Sequence, residues 1–373
     1  MQAAIDRGPH VSALEPAGIA QLDEEIREKV TNGQAKIVHW NDIRFNPPPQ
    51  LKVSPVAMVP HSSRPFRAIL DLWFPVRLSP DISVPSVNST TVKTAPKGAI
   101  DQIGHVLPRI IHAFATAEED AKIFMAKWDI KDGFWRLDCE AGDEWNFAYV
   151  QPSTVGTNDV CLVVPTSLQM GWIESPPYFC TASETARDVA AQYAELPMGQ
   201  LDDHPLLHRT TTHGDYAALP PLRAPTDHPL QYLVELYMDD FINVAIPACQ
   251  RDLDHLATAT MSGIHDVFPA APDPTADPIS DRKLRKGDGA CATVKDILGM
   301  TFDGTVKTIW LSETKRDALL STLKAWTRKA SKRIGIAFDE FRTTLSKLQH
   351  AFLTVPAGKG LLSAFYVILR TQP

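Results

Sequence analysis

The stretch Tyr237-Met238-Asp239-Asp240 places two adjacent carboxylates inside an otherwise apolar run. Apolar residues precede it at 232–234 and follow it at 241–246. Residues that favour β-structure on both sides predict the two strands of a hairpin, with the carboxylates near its turn. Ionised carboxylates crowded at such a place repel each other unless a cation neutralises them. The pattern therefore indicates a metal site.

The dipeptide Asp202-Asp203 has the same acids in a different setting. It lies between Leu201 and His204-Pro205, in a polar stretch that contains proline. Such surroundings are typical of a solvated turn. The apolar flanks, and not the acidic pair alone, are what distinguish Asp239-Asp240.

The length of the chain and the spacing of its cysteines exclude a small disulfide-stabilised domain. The chain of 373 residues has room for two or three lobes, at roughly 100–200 residues per domain. Its five cysteines are widely spaced without a Cys-x-x-Cys pair, which predicts neither a disulfide framework nor a structural zinc site. No apolar run approaches the ~18 residues of a membrane span, and the acidic N-terminal region is unlike a signal peptide. We predict a soluble intracellular protein, cytoplasmic or nuclear, with no membrane partner.

Charge is distributed unevenly along the chain. The formal net charge is −7, yet from residue 282 onward 17 Lys and Arg face only 7 Asp and Glu. A basic last quarter is typical of a surface that binds a polyanion. The alternative is a solvated helical face.

The order of predicted elements indicates an α+β fold. Strands interrupted by helices come first, and helices alone close the chain. The predicted strands are at 54–72 (a pair), 123–130, 146–150, 160–164, the hairpin around 239, and a hairpin at 296–311 that turns at Asp303-Gly304. The predicted helices are at 20–31, 100–119, 175–193, 253–268, 313–330, 339–353 and 360–369. A polar insertion at 199–229 is predicted to be a surface loop.

Four blocks stand out in order along the chain: Arg67 with residues 68–72, Asp129-Ile130-Lys131-Asp132-Gly133-Phe134, residues 168–176, and Tyr237-Met238-Asp239-Asp240. From about residue 64 to 354 they resemble the reverse transcriptases of retroviruses and retrotransposons. The first and fourth blocks in this order and spacing are a strong joint signal. Weaker resemblances are Ile297-Leu298-Gly299-Met300 to a primer-gripping hairpin and residues 345–350 to a thumb helix.

The resemblance implies a right-hand polymerase fold with a mostly antiparallel palm sheet and a helical C-terminal lobe. It divides the chain into an N-terminal arm (1–50), fingers (51–122), palm with intervening fingers elements and the insertion at 199–229 (123–311), and a thumb-like lobe (312–373). The implied activity is RNA-directed DNA polymerisation on a primed RNA or DNA template. We expect one segment of a retroelement polyprotein, or a shortened copy.

The resemblance also implies a catalytic centre with two Mg²⁺ ions, Mn²⁺ being the alternative. Asp129 and Asp239 would be the bridging ligands, and Asp240 an auxiliary acid. Nucleotidyl transfer by two hard cations needs a few carboxylate oxygens from different strands, which these residues supply. Asp132, beyond the strand end, is interpreted as a positioning or solvated acid.

Further residues are implied to bind the deoxynucleoside triphosphate. Arg67 would contact the triphosphate, Phe134 would block a ribose 2′ hydroxyl, and Lys286 would protonate the leaving pyrophosphate. Each has an ordinary alternative: a surface charge, a core aromatic and a solvated lysine. The template and nucleotide motif contributes Gln169, Met170 and Gly171.

Two departures from the family pattern stand out. Met170 lies where many family members have glutamine, and the loop at 61–64 lacks the usual lysine, for which Arg64 would substitute. The altered motif around Met170 and the missing RNase H, protease and integrase motifs favour the competing interpretation of a decayed remnant that binds nucleic acid without chemistry. The retained Asp129, Asp239 and Asp240 oppose that interpretation. An RNA-directed RNA polymerase is a third alternative, but it would be expected to carry a polar residue in place of Phe134.

Overall fold

A computed structural model describes residues 1–61, 65–79, 81–210 and 231–371. Its helices are α1 (Gln2–Arg7), α2 (Pro16–Thr31), α3 (Trp40–Ile43), α4 (Val87–Thr90), α5 (Lys97–Asp101), α6 (Val106–Thr116), α7 (Ser175–Ala194), α8 (Leu207–Thr210), α9 (Gln250–Val267), α10 (Asp281–Arg285), α11 (Glu313–Ser331), α12 (Phe338–Ala351) and α13 (Ser363–Arg370). Its strands are β1 (Ala35–His39), β2 (Val56–Pro60), β3 (Phe66–Leu70), β4 (Val76–Arg77), β5 (Ser83–Val84), β6 (Phe124–Asp129), β7 (Tyr149–Val150), β8 (Cys161–Pro165), β9 (Gln231–Tyr237), β10 (Asp240–Ile246), β11 (Val294–Ile297), β12 (Met300–Asp303) and β13 (Thr308–Leu311). The predicted mixture of helices with antiparallel sheets is confirmed.

Contacts divide the chain into two compact units. Unit 1 contains residues 1–100 and 131–183, and unit 2 contains residues 101–130 and 184–373. The boundary at residues 130 and 131 falls directly after β6. The division into arm, fingers, palm and thumb stays a prediction.

Unit 1 is built on the antiparallel sheet β1-β8-β7. All five residues of β8 are buried, as expected for a central strand of apolar residues. A second pair, β2 and β3, joins α2 around a core that includes Leu22, Ile26, Val56 and Met58. The paired strands predicted within residues 54–72 are therefore confirmed.

Unit 2 is built on the antiparallel sheet β6-β10-β9. The central strand β10 has five consecutive buried residues, 241–245, because both of its faces are covered. Ile242 and Val244 share a core with Val106 and Ile110 of α6. On the other side, Asn243 donates a hydrogen bond of 2.7 Å to Thr260 of α9.

Helix α9 approaches the second half of α7 closely within unit 2. A Cβ atom on Gly263 would lie 2.6 Å from the backbone nitrogen of Ala190 and 2.8 Å from the carbonyl oxygen of Ala186. Only glycine fits there without displacing backbone. This contact holds α9 under the sheet that carries the acidic hairpin.

The predicted hairpin at 296–311 is wrong in its strand count. The structure has three strands, β11-β12-β13, joined by two turns. The first turn uses Leu298 and Gly299, with φ of 49° and 82°, as a two-residue hairpin turn requires. Leucine rarely takes a positive φ, so residue type indicates only the later Asp303-Gly304 turn. The first turn is predicted only through the resemblance of Ile297-Leu298-Gly299-Met300 to a primer-gripping hairpin.

Other predicted boundaries shift for local reasons. The helix predicted at 100–119 is divided into α5, a 3₁₀ turn (Gln102–His105) that contains a glycine, and α6. In the polar insertion, residues 211–229 lie outside the described residues. The part at 199–210 is less exposed than predicted, since His204 and Thr210 are buried.

The C-terminal helices α11, α12 and α13 pack around a core of their own. Trp326 and Phe341 stack at its centre, with ring centroids 5.8 Å apart, and Leu345 and Leu348 complete it. Among the described residues, we find no helix with the length and apolar character that crossing a bilayer requires.

Candidate active site

The sheet β6-β10-β9 brings the predicted catalytic aspartates together in unit 2. Asp129 ends β6 and Asp240 begins β10, and the two residues are direct partners in the antiparallel register. Directly opposed residues have Cβ atoms about 4.5–5.5 Å apart, and like charges in such a pair destabilise the sheet. The fold therefore concentrates negative charge at one strand end.

Asp239 lies on the tight turn that joins β9 to β10. Tyr237 pairs with Asp240, so Met238 and Asp239 form the turn. Met238 has a φ of 60°, a conformation that is uncommon for a non-glycine residue and is often found at functional sites. The carbonyl of Asp239 accepts a hydrogen bond of 2.9 Å from the backbone N–H of Ile130. This bond ties the turn to the end of β6.

Crowding changes the ionisation of Asp239. Its side chain is open to solvent on one side, but the surrounding protein atoms displace water, and Asp129 and Asp240 add repulsion. Together these effects raise the pKa of Asp239 from 3.8 to about 6. A cation at this position would reverse the effect by favouring the carboxylate.

Lys283 is a residue beside the acidic cluster that sequence reasoning missed. Its ammonium donates a hydrogen bond to Oδ1 of Asp129 and lies 3.7 Å from Oδ1 of Asp240. Burial alone would lower the pKa of Lys283, but the bond to Asp129 and the charges of Asp240 and Asp239 outweigh it and raise this pKa. The ammonium therefore partly neutralises the acidic site.

Backbone bonds fix the segment that carries Lys283. The N–H of Ser280 donates to the carbonyl of Asp129 at 3.0 Å, and Ile279 bridges to Ile130. Asp281 then pairs with Arg209 and, at 2.7 Å, with Arg285. These contacts anchor α10 beside the end of β6.

Lys286 lies one residue beyond α10 and is exposed. The sequence 282–286 contains four basic residues around one leucine. Without the orientation of α10, the sequence does not show which of the four lies beside the aspartates. The role of Lys286 as the acid that protonates the leaving pyrophosphate stays a prediction.

The donor set of the three aspartates fits Mg²⁺. It consists of carboxylate oxygens only, on two strand ends and a turn, and within the described part of the chain the ammonium of Lys283 offsets part of their charge. Hard divalent cations prefer such ligands and complete their coordination shell with water and phosphate oxygens. Asp129, Asp239 and Asp240 are the residues that would hold the ions.

Phe134 lies in unit 1, on a 3₁₀ turn that follows the left-handed residue Asp132. Its ring packs edge-on against Phe179 of α7, with centroids 5.5 Å apart. Gly133 is required beside it, because a Cβ atom there would lie 2.6 Å from the Phe179 ring. Phe134 itself is only half-buried, so one side of the ring is accessible.

Asp132 is held by Lys29 in the same unit, with 2.7 Å between Nζ and Oδ2. Burial would raise the pKa of Asp132, but the nearby ammonium of Lys29 lowers it overall. Its interpretation as a positioning acid agrees with this ion pair.

Arg67 lies on β3, opposite Val59. Its Nε is buried and has no hydrogen-bond partner among the described residues. A guanidinium nitrogen without a partner is costly, and an anionic ligand would satisfy it. Residues 62–64 of the predicted triphosphate loop, including Arg64, lie outside the described residues.

The loop that carries Gln169, Met170 and Gly171 is held by hydrogen bonds and by a close backbone contact. Gln169 is buried and its amide donates to the carbonyls of Ser167 and Leu168 at 2.9 and 3.1 Å. Gly171 has a φ of 102°, and a Cβ atom there would lie 2.9 Å from the carbonyl oxygen of Leu70. Met170 is 37% exposed. The loop thus presents Met170 and turns Gln169 inward.

Two further places where acidic side chains lie close to other titratable groups are explained by local contacts. In unit 2, the charge of Asp203 adds to burial in raising the pKa of Asp254. In unit 1, Nδ1 of His39 lies 2.9 Å from Asp159 and 3.6 Å from the sulfur of Cys161. The ligand atoms of this trio all lie within 4.8 Å of one another, but His39 and Asp159 are exposed and form an ordinary surface ion pair.

The raised pKa of Asp239 predicts a specific pH response of the metal-free protein. Between pH 3.8 and 6 the unfolded chain loses this proton before the folded chain does, so the free energy of unfolding falls as pH rises through this window. Asp239→Asn removes the effect. In EDTA at pH 8 we expect the variant to be more stable than the parent by about 1 kcal/mol, a value reduced for partial exposure.

Urea unfolding of the parent and the Asp239→Asn variant at pH 4 and pH 8 measures this difference. The advantage of the variant should vanish at pH 4, and saturating Mg²⁺ at pH 8 should reverse it. Asp203→Asn is the matched control. An equal pH response of parent and Asp239→Asn would contradict the prediction.

Comparison with known proteins gives a fold. No protein-family model and no curated protein matches this sequence. Solved structures do match. One is the foamy viral protease-reverse transcriptase dRH in complex with double-stranded DNA (13% identity, TM-score 0.52, 94% of this chain and 43% of that chain). Another is the foamy viral protease-reverse transcriptase in complex with RNA/DNA hybrid (13% identity, TM-score 0.50, 96% of this chain and 34% of that chain). The chain spans less than half the length of either. Its fold is similar to that of reverse transcriptases.

Proposed function

We propose that this chain is an RNA-directed DNA polymerase of a retroelement, extending a primer on an RNA or DNA template. The observation that carries the proposal is the pairing of Asp129 with Asp240, with Asp239 on the adjoining turn, in a fold similar to reverse transcriptases. Acids forced together in this way are costly to folding. A cation-dependent function gives a reason to keep them.

The aspartates would act as metal ligands. Two divalent ions, Mg²⁺ or alternatively Mn²⁺, would supply activation of the primer 3′ hydroxyl and neutralisation of the leaving pyrophosphate. Asp129 and Asp239 would hold both ions, and Asp240 would orient the site from the start of β10. The neighbouring charges of Asp129 and Asp240 strengthen the attraction of Asp239 to cations.

Residues of unit 1 would select and orient the deoxynucleoside triphosphate. The buried Nε of Arg67 would find an oxygen partner on a phosphate. The accessible side of Phe134 would exclude a 2′ hydroxyl, and Met170 with Gly171 would contact the template and the base pair. The hydrogen bonds of Gln169 within this loop would fix the positions of Met170 and Gly171.

The fingers, palm and thumb layout is part of the proposal. The sheet β6-β10-β9 would be the palm, β2-β3 would belong to the fingers, and α11–α13 would form the thumb. The foamy viral relatives were solved with double-stranded DNA and with RNA/DNA hybrid. A template-primer duplex in an intracellular setting is the corresponding partner for this chain.

One primer-extension assay tests the proposal against its two alternatives. The chain is given a primed RNA template, Mg²⁺, and deoxynucleotides or ribonucleotides in parallel. Extension with deoxynucleotides supports the proposal. Extension with ribonucleotides alone would identify an RNA-directed RNA polymerase, and duplex binding without extension would identify a decayed remnant.

The basic helices should contribute most of the salt dependence of duplex binding. Lys324 and Arg328 lie on α11 and Lys332 directly follows its last residue, so that the three follow one another at four-residue intervals, and all are exposed. If each neutralises one phosphate, replacing all three by glutamine should reduce the log–log salt slope by up to about 2.7, at roughly 0.9 per phosphate on B-DNA.

Fluorescence anisotropy of a labelled template-primer across a salt series measures this slope. The control variant replaces Arg316 and Arg342, which already pair with neighbouring acids, and should change the slope little. Equal slopes for the parent and the triple variant would show that this row is only a solvated face.

A further inference from the structure

We propose that Lys283 is a built-in counter-ion of the acidic site, which occupies the gap between Asp129 and Asp240 and must leave it when a divalent cation binds. This inference rests on the proposed metal site. It adds that the ammonium of Lys283 competes with the divalent ion and thereby lowers the affinity of the site for metal.

The first argument is the position of the ammonium. It is bonded to Oδ1 of Asp129 and lies 3.7 Å from Oδ1 of Asp240, so it occupies an oxygen of Asp129, the carboxylate that would hold both ions. Mg²⁺ demands near-ideal octahedral geometry with oxygen ligands about 2.0–2.1 Å away. An ammonium bonded to that oxygen and a metal ion coordinated by it cannot be present together.

The second argument is that the lysine is anchored and yet able to move. The backbone of its segment is tied to the end of β6 through Ser280 and Ile279, so the ammonium stays within reach. Its side chain is 33% exposed, whereas that of Asp129 is 16% exposed. A long, flexible lysine side chain can therefore swing toward solvent while α10 remains in place.

The third argument is charge. Three carboxylates with one ammonium leave an excess of negative charge, so a divalent ion still gains by binding. It gains less than it would without Lys283, because it must displace a favourable ion pair. Removing the ammonium should therefore tighten metal binding and destabilise the metal-free fold.

Mn²⁺ binding to the full chain, without nucleic acid or nucleotide, tests the inference. Electron paramagnetic resonance of free Mn²⁺ gives the dissociation constant. Lys283→Met keeps the length of the side chain and removes its charge, and it should tighten Mn²⁺ binding about tenfold. Arg282→Met removes a charge from the neighbouring exposed residue and should change the affinity less than twofold, by screening in solvent.

Asp129→Asn separates this inference from the proposed function. Weaker Mn²⁺ binding in Asp129→Asn, together with unchanged affinity in Lys283→Met, would overturn the counter-ion role and leave the metal site standing. Unchanged Mn²⁺ binding in Asp129→Asn would overturn the metal site and the inference with it.

A measurement on the unaltered protein covers the case in which Lys283→Met does not fold. Amine acylation followed by mass spectrometry reports how accessible each lysine is. Addition of Mg²⁺ in place of EDTA should increase labelling of Lys283, because the ion releases its ammonium from Asp129, while Lys324 should label equally in both conditions. Labelling of Lys283 that is unaffected or reduced by Mg²⁺ would contradict displacement.

Discussion

Asp129→Asn and Asp239→Asn should each reduce primer extension by about a thousandfold, which corresponds to roughly 4 kcal/mol of lost transition-state stabilisation. An amide keeps the shape of the carboxylate but not its charge. The variant would therefore fold and bind duplex while holding divalent ions poorly. Asp240→Asn should have a smaller effect, since Asp240 would be the auxiliary acid.

The assay compares single-nucleotide incorporation rates at saturating template-primer and deoxynucleotide. Asp203→Asn provides the control, because Asp203 acts on Asp254 in another part of the unit. Thermal unfolding in EDTA verifies that each variant is folded. Asp239→Asn should be at least as stable as the parent there, since it relieves repulsion. Retention of most activity in Asp129→Asn would rule out the metal role.

Phe134→Ala should admit ribonucleotides, raising their kcat/KM relative to deoxynucleotides by about a hundredfold, the scale on which a packed site rejects a small extra group. The half-buried ring has one accessible side, and its other contact is the edge of Phe179. Loss of that aromatic pair costs roughly 0.5–1.5 kcal/mol beyond the buried area, so the fold should survive.

Steady-state incorporation of matched deoxynucleotides and ribonucleotides on one template gives the ratio. Phe134→Val should be intermediate, and Phe134→Tyr, which keeps the ring, should remain selective. A Phe134→Ala protein that is less stable but equally selective would assign this residue to packing against Phe179 alone.

The sequence by itself determined the acidic hairpin and the mixture of helices and strands. Apolar residues at 232–234 and 241–246 around Asp239-Asp240 predicted β9 and β10, because strand formation by apolar, β-branched residues is a local property that burial reinforces. The strand that ends at Asp129 was predicted in the same way. Their ordered spacing indicated the fold to which the foamy viral structures are similar.

Two features of the structure were not predicted from the sequence: one backbone conformation and the burial of two polar residues. Leu298 takes a positive φ in the turn between β11 and β12, which its residue type does not predict. His204 and Thr210 are buried within a stretch that is polar in sequence, since surrounding helices cover them. Local patterns carry no information about such coverage.

Only the tertiary structure decided which basic residue meets the acids. Residues 282–286 offer four candidates, and the orientation of α10 against the end of β6 directs Lys283 to Asp129 and leaves Lys286 exposed. That orientation depends on the bonds from Ser280 to Asp129 and from Arg209 to Asp281, which join segments far apart in the chain. The sequence shows the sign of each charge, but which charges pair depends on distances that are determined by folding.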